Sequence, residues 1–164
     1  MKLPLCALAL VTVAAPVSAA PLEFAGINAQ TVGPDPATMT CMDLGPFTPS
    51  CSLSRTSFGG VHFDSSNVLL NDKTRRVSRI ILSFHNLWGD TALKALTAKY
   101  GAPSKVESKQ EVNRQGGPFT RKLVHWDAAD KDGTIWMSSG DKDTVLGIDF
   151  KANREPKAAP KVDF

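Results

Sequence analysis

One stretch of this chain carries every local signal of a helix, and most of what surrounds it reads as strand or turn. Asp90 stands where an N-cap belongs, and Leu93, Leu96 and Tyr100 recur at i, i+3 and i+7 on one face. Lys94 and Lys99 lie toward the C-terminal end, where positive charge suits the macrodipole. Gly101 occupies the C′ position and Pro103 blocks continuation. The spacing predicts a helix over Thr91–Tyr100. A lone helix this short depends on burying its apolar stripe, so the strands around it must supply the other half of the core.

Those strands follow from alternation and turn chemistry. Leu22 to Ile27 is a short apolar segment, read as an edge strand. Pro34, Pro36, Pro46 and Pro49 then crowd the stretch from Thr31 to Ser50, which excludes a central strand or a long helix and leaves a loop. Val61-His62-Phe63 follows Gly59-Gly60, and Asn67 to Leu70 precedes an Asn71-Asp72-Lys73 turn. Val77 to Phe84 alternates, with Ile80, Leu82 and Phe84 on one face and Arg79, Ile81 and Ser83 on the other. After the helix come Lys105–Val112, Arg121–Asp127, Thr134–Ser138 and Val145–Phe150, separated by glycine- and aspartate-rich turns. Val124 and Trp126 oppose Leu123 and His125, while Leu146, Ile148 and Phe150 share a face. The expectation is an α+β fold: an antiparallel β-sheet (strands, one helix, then a four-stranded meander) with the one main helix packed on one face. Residues 20–151 form the single domain of this reading, and the Lys-, Pro- and Ala-rich residues 152–164 a disordered tail.

Residues 1–19 read as a secretory signal peptide. Lys2 supplies the positive start, Leu3 to Ala15 an apolar run, and Val17-Ser18-Ala19 a small-residue cleavage site. The run is too short to span a bilayer, which takes roughly 20 residues, so the expected product is periplasmic or secreted and not membrane-spanning. Cys6 leaves with that segment, and Cys41 and Cys51 remain. In an oxidising compartment this pair reads as a disulfide, for which the chain-entropy model gives roughly 2.5–3 kcal/mol. The net charge of +3 comes from Lys2 and from the last residues, where Lys151, Arg154, Lys157 and Lys161 outweigh Glu155 and Asp163. The body is therefore close to neutral, and nucleic acid is excluded as a partner.

The element Leu93-Lys-Ala-Leu96-Thr-Ala-Lys-Tyr100-Gly101-Ala-Pro103, leading into a meander with a tryptophan on a strand, resembles small uncharacterised exported bacterial proteins. It is also similar to the helix-then-meander units of the β-lactamase-inhibitor-protein and outer-membrane-assembly-lipoprotein group. The resemblance spans about Asp90 to Phe150 and implies a binding protein. The chain departs from that group in having no lipid-attachment cysteine and one helix where those units often have two.

Chemistry-bearing constellations are sparse. His62/Asp64 and His125/Asp127 are His-x-Asp pairs whose side chains would share a face on a strand, as a metal edge or an oriented base requires. Zinc needs three or four ligands, so both pairs would have to meet. Ala128-Ala-Asp130-Lys-Asp132-Gly133 resembles the start of a calcium loop, but alanine stands at the first ligand position and no glutamate closes it. Gly59-Gly60 and Gly116-Gly117 lack phosphate-loop spacing. Lys73, Arg75, Arg76 and Arg79 form a basic run at a hairpin turn, where an anionic envelope polymer is one possible partner.

Catalytic, cofactor and metal residues are therefore assigned to none, and the candidate partner-binding residues are Trp136, Trp88 and Phe47, the last at the tip of the disulfide-pinned loop. The reading is a non-enzymatic exported (periplasmic) binding or interaction module, its partner an unidentified protein or cell-envelope component. A narrower form is a hydrolase inhibitor that inserts the Phe47 loop. The alternative is a small periplasmic hydrolase or metal-dependent enzyme using His62/Asp64 and His125/Asp127.

Overall fold

The computed structural model describes residues 22–42, 50–127 and 133–154. Its elements run β1 (Glu23–Phe24), β2 (Ile27–Asn28), β3 (Met39–Met42), β4 (Ser50–Leu53), β5 (Ser57–Phe58), β6 (Val61–His62), β7 (Ser65–Leu70) and β8 (Val77–His85). A 3₁₀ turn (Asn86–Trp88) then leads into α1 (Gly89–Tyr100). After it come β9 (Lys105–Val112), β10 (Pro118–Asp127), β11 (Gly133–Ser139) and β12 (Asp143–Phe150).

Eight of these strands form one antiparallel sheet in the order β3-β4-β7-β8-β12-β11-β10-β9. The chain leaves β8 near the middle, crosses through α1 to the far edge at β9, and returns strand by strand until β12 docks back against β8. The fold is thus α+β, mostly antiparallel sheet with one α-helix among the described residues. The strands after the helix do not stand as a separate four-stranded unit; the β12–β8 ladder continues them into the larger sheet.

The helix and the two small hairpins, β1–β2 and β5–β6, cover one face. Ile80, Leu82 and Phe84 of β8, Val124 and Trp126 of β10, Ile135 and Met137 of β11, and Leu146, Ile148 and Phe150 of β12 are buried there. Each such side chain contributes roughly 1.5–3 kcal/mol of transfer free energy. Ala92 and Leu96 are the buried centre of the helix, with Leu93 and Tyr100 packed at its flanks. The stripe is therefore rotated one position from the predicted Leu93–Leu96–Tyr100 row. Phe58 bridges the layers, its ring edge-on to Phe24 at 5.1 Å and to Phe84 at 6.3 Å.

Several expectations are corrected by local geometry. Leu22–Ile27 is not an edge strand of the sheet, because Ala25 and Gly26 both take positive φ (57° and 83°) and fold it into the β1–β2 hairpin. The proline-rich stretch is not loop throughout: the proline-free Met39–Met42 pairs with β4 at the edge of the sheet, where a strand needs ladder bonds on one side only. Cys41 lies directly opposite Cys51 in that ladder, with Cα atoms 4.0 Å apart, and the two form the disulfide. The helix starts at Gly89 with no side-chain cap at Trp88; the preceding 3₁₀ turn is capped instead, by His85 Nδ1 accepting from the Leu87 amide. Beyond β12, Lys151–Asn153 form a packed turn in which Asn153 is buried and its side chain donates to Ala29 O at 2.6 Å and Val77 O at 2.9 Å. The signal segment, Phe47 and the Asp130/Asp132 turn lie outside the described residues.

The helix C-terminus is tied down by polar contacts. Gly101 takes φ 83°, a region that favours glycine, and its carbonyl accepts from Trp126 Nε1 at 3.1 Å. The Tyr100 hydroxyl and Lys99 Nζ both donate to the carbonyl of Glu23. Burial, and secondarily the Glu23 charge, holds the Tyr100 phenol above its usual value near 10. A raised folded-state pKa favours the fold below the unfolded pKa and is lost as pH rises beyond it. Stability should therefore fall as pH climbs above about 10. Tyr100→Phe should flatten that fall in alkaline denaturation curves.

Candidate functional site

The face of the sheet turned away from the helix carries the side chains that alternate with the core set. Register places them in rows. Asn67, Ile81, Gly147, Trp136, His125 and Lys105 form one; Ser65, Ser83, Val145, Ser138, Leu123 and Glu107 the next. Ile81, Val145, Trp136 and Leu123 are half-buried, with no helix over them among the described residues. They make an apolar island at the middle of the face, and polar residues border it on all sides.

Trp136 lies at its centre because β12 has no side chain beneath it. A methyl at Gly147 would collide with the indole ring, so the ring rests on the β12 backbone. The indole Nε1 donates to Asp149 Oδ2 at 3.1 Å, which fixes the ring's rotation. Asp149 is itself buried, and it accepts from Arg79 Nε and pairs with Arg154 at 2.6 Å. Both guanidiniums are more than a third exposed. The island is thus edged by a carboxylate held between two arginines, beside a cleft of about 390 Å³ lined by Leu69, Ser78, Arg79, Asn153 and Arg154. Arg79, read from the sequence as part of a basic run at a hairpin turn, is the partner of a buried acid, since its register neighbour is Asp149. On the opposite flank Arg121 pairs with Glu111 at 2.8 Å, reaches Ser138 at 3.3 Å and stacks 5.6 Å from the Phe119 ring.

The other candidates are scattered. Trp88 sits at the start of α1, 37% exposed and 5.9 Å from the ring of His62, next to the exposed Leu87. Trp126 is a core residue at 2% exposure. His62 lies on the short strand β6 with Asp64 beyond its end, while His125 stands on the open face of β10 between Lys105 and Trp136. Among the described residues no group of three His, Cys, Asp or Glu side chains is arranged to hold a metal. Sequence reasoning selected Trp136 but missed Asp149, Gly147 and Arg154. Asp149 was legible in part, as a charge within an otherwise apolar strand.

Neither a protein-family model, nor a curated protein, nor a solved structure matches this chain.

The seating of Trp136 gives a direct prediction. Gly147→Ala should displace the ring, destabilise the fold by about 1–3 kcal/mol and raise the accessibility of tryptophan to acrylamide. Quenching unchanged from the wild type would contradict the seating.

Proposed function

We propose that this chain is an exported, non-enzymatic interaction module that engages a protein or another component of the cell envelope through its open sheet face. The observation that carries the reading is the half-buried island of Trp136, Ile81, Val145 and Leu123 on a face that no described helix covers. A large aromatic anchor, rotationally fixed by a hydrogen bond and ringed by paired charges, loses little side-chain freedom on docking. The Cys41–Cys51 disulfide fits an oxidising compartment, and no described helix is long and apolar enough to cross a membrane. Residues 1–19 supply the export signal in this reading, and they are removed before the module works.

Capture from an envelope extract tests it. Trp136→Ala and Leu123→Glu, both with circular dichroism matching the wild type, should weaken retention of a specific partner roughly thirtyfold, as loss of a hot spot near 2 kcal/mol implies. Leu87→Glu, at the other exposed apolar site, should retain it. Loss with Leu87→Glu alone would move the interface to the start of the helix.

A further inference from the structure

Strand β9 ends the sheet. Its eight residues, Lys105–Val112, pair with β10 in unbroken register and, among the described residues, have no strand on their other side. All but Glu111 are exposed, and no backbone group along it bonds elsewhere in the described chain. Long edges are usually blunted by a proline, a bulge or a cluster of lysines. This one has neither proline nor bulge. Its open-face side chains alternate in sign instead: Lys105, Glu107, Lys109, Glu111. Lys105 lies 2.8 Å from Glu107 and Lys109 lies 3.6 Å from Glu111, so the row is neutral as a whole. Its neighbouring cations hold both carboxylates below their ordinary range, so the alternation persists at neutral pH.

We infer that β9 is a self-pairing edge, and that two copies of this chain join antiparallel through it about a two-fold axis at Ser108. An axis normal to the sheet keeps open-face residues on the open face in both copies, so only odd positions can oppose odd and even oppose even. The axis must therefore pass through a residue. Centred on Glu107, that residue meets its own copy. Centred on Lys109, lysine meets lysine and Glu107 meets Glu111. Centred on Ser108, Lys105 opposes Glu111 of the second copy and Glu107 opposes its Lys109, each twice by symmetry. Registers centred on Val106 or Gln110 oppose fewer opposite charges over a shorter ladder. Directly opposed cross-strand charges favour or disfavour pairing by sign, so the Ser108 register alone satisfies the whole row. On the helix side it sets Val106 against Gln110 and Ser108 against itself, with no like-charge contact. The joined sheet keeps both Trp136-centred faces on one side. This inference rests on β9 alone and stands independently of what binds that face.

The test is the mass of the purified exported chain in solution, by light scattering or sedimentation. The wild type should be a dimer, and Glu107→Lys or Lys109→Glu alone should each give a roughly twofold fall in mass to the monomer. Mixing those two variants should restore a heterodimer, because their rows are complementary to one another. The double variant Glu107→Lys/Lys109→Glu should again dimerise with itself. Under oxidation Ser108→Cys should cross-link to its own copy, its Cα atoms lying about 4.5–5.5 Å apart across the axis. Lys105→Cys should not. A wild-type monomer at every concentration, a dimer indifferent to charge reversal, or cross-linking from Lys105→Cys but not Ser108→Cys would each overturn the inference. These positions are exposed, so unchanged melting of the variants separates lost pairing from lost folding.

Discussion

The ladder between β12 and β8 holds this molecule together. β8 belongs to the first half of the chain and β12 closes the second, and their seven opposed pairs from Asp143↔His85 to Asp149↔Arg79 are what make one sheet of two segments. β12 is also covered on both sides along most of its length. Leu146, Ile148 and Phe150 meet the helix layer, while Gly147 lies under Trp136 and Asp149 between Arg79 and Arg154. A strand covered on both faces normally reads as continuously apolar. Here one side of it is built from a glycine and a neutralised acid, so the cover is an aromatic ring and two guanidiniums. The open face inherits its anchor from that arrangement.

The same logic sets the division of labour between the two faces. One helix and two short hairpins suffice to seal the core side, because Trp126, Phe84 and Phe150 fill the space beneath them. Nothing among the described elements seals the other side. There the fold relies on fixed polar contacts to keep a half-exposed apolar island ordered: the Trp136–Asp149 hydrogen bond, the Arg79 and Arg154 pairs, and Arg121 with Glu111. Asn153 completes the frame by donating to Ala29 and Val77 while its carbonyl accepts from Asn71, which binds the end of β12 to the start of the chain and to the β7–β8 turn. Buried amides satisfied in this way act as locks, since breaking one leaves a costly unpaired group.

Much of the fold is legible in the sequence where the signals are local. Period-two alternation correctly sorted Ile80, Leu82 and Phe84 from Arg79, Ile81 and Ser83, and Gly101 with Pro103 marked the helix end. Non-local pairings were not legible. Strand order, the insertion of β12 beside β8, and the Asp149–Arg79 pair depend on residues seventy positions apart, and no short window carries that separation. The shift of the cap from Asp90 to the 3₁₀ turn likewise turns on His85, whose side chain faces its own backbone. Alternation does separate the two indoles: Trp126 shares the buried face of its strand with Val124, whereas Trp136 alternates with Ile135 and Met137 and so falls on the open face, where Gly147 across the ladder makes room for its ring.

The central claim is that the island around Trp136 is the surface that meets a partner. Site-specific photo-crosslinking in living cells tests it most directly, with a photoreactive residue at Leu123 on the open face and, separately, at Leu93 on the helix layer. The account predicts a discrete adduct of defined mass from position 123 and none from position 93. An adduct from position 93 with none from position 123 would contradict it.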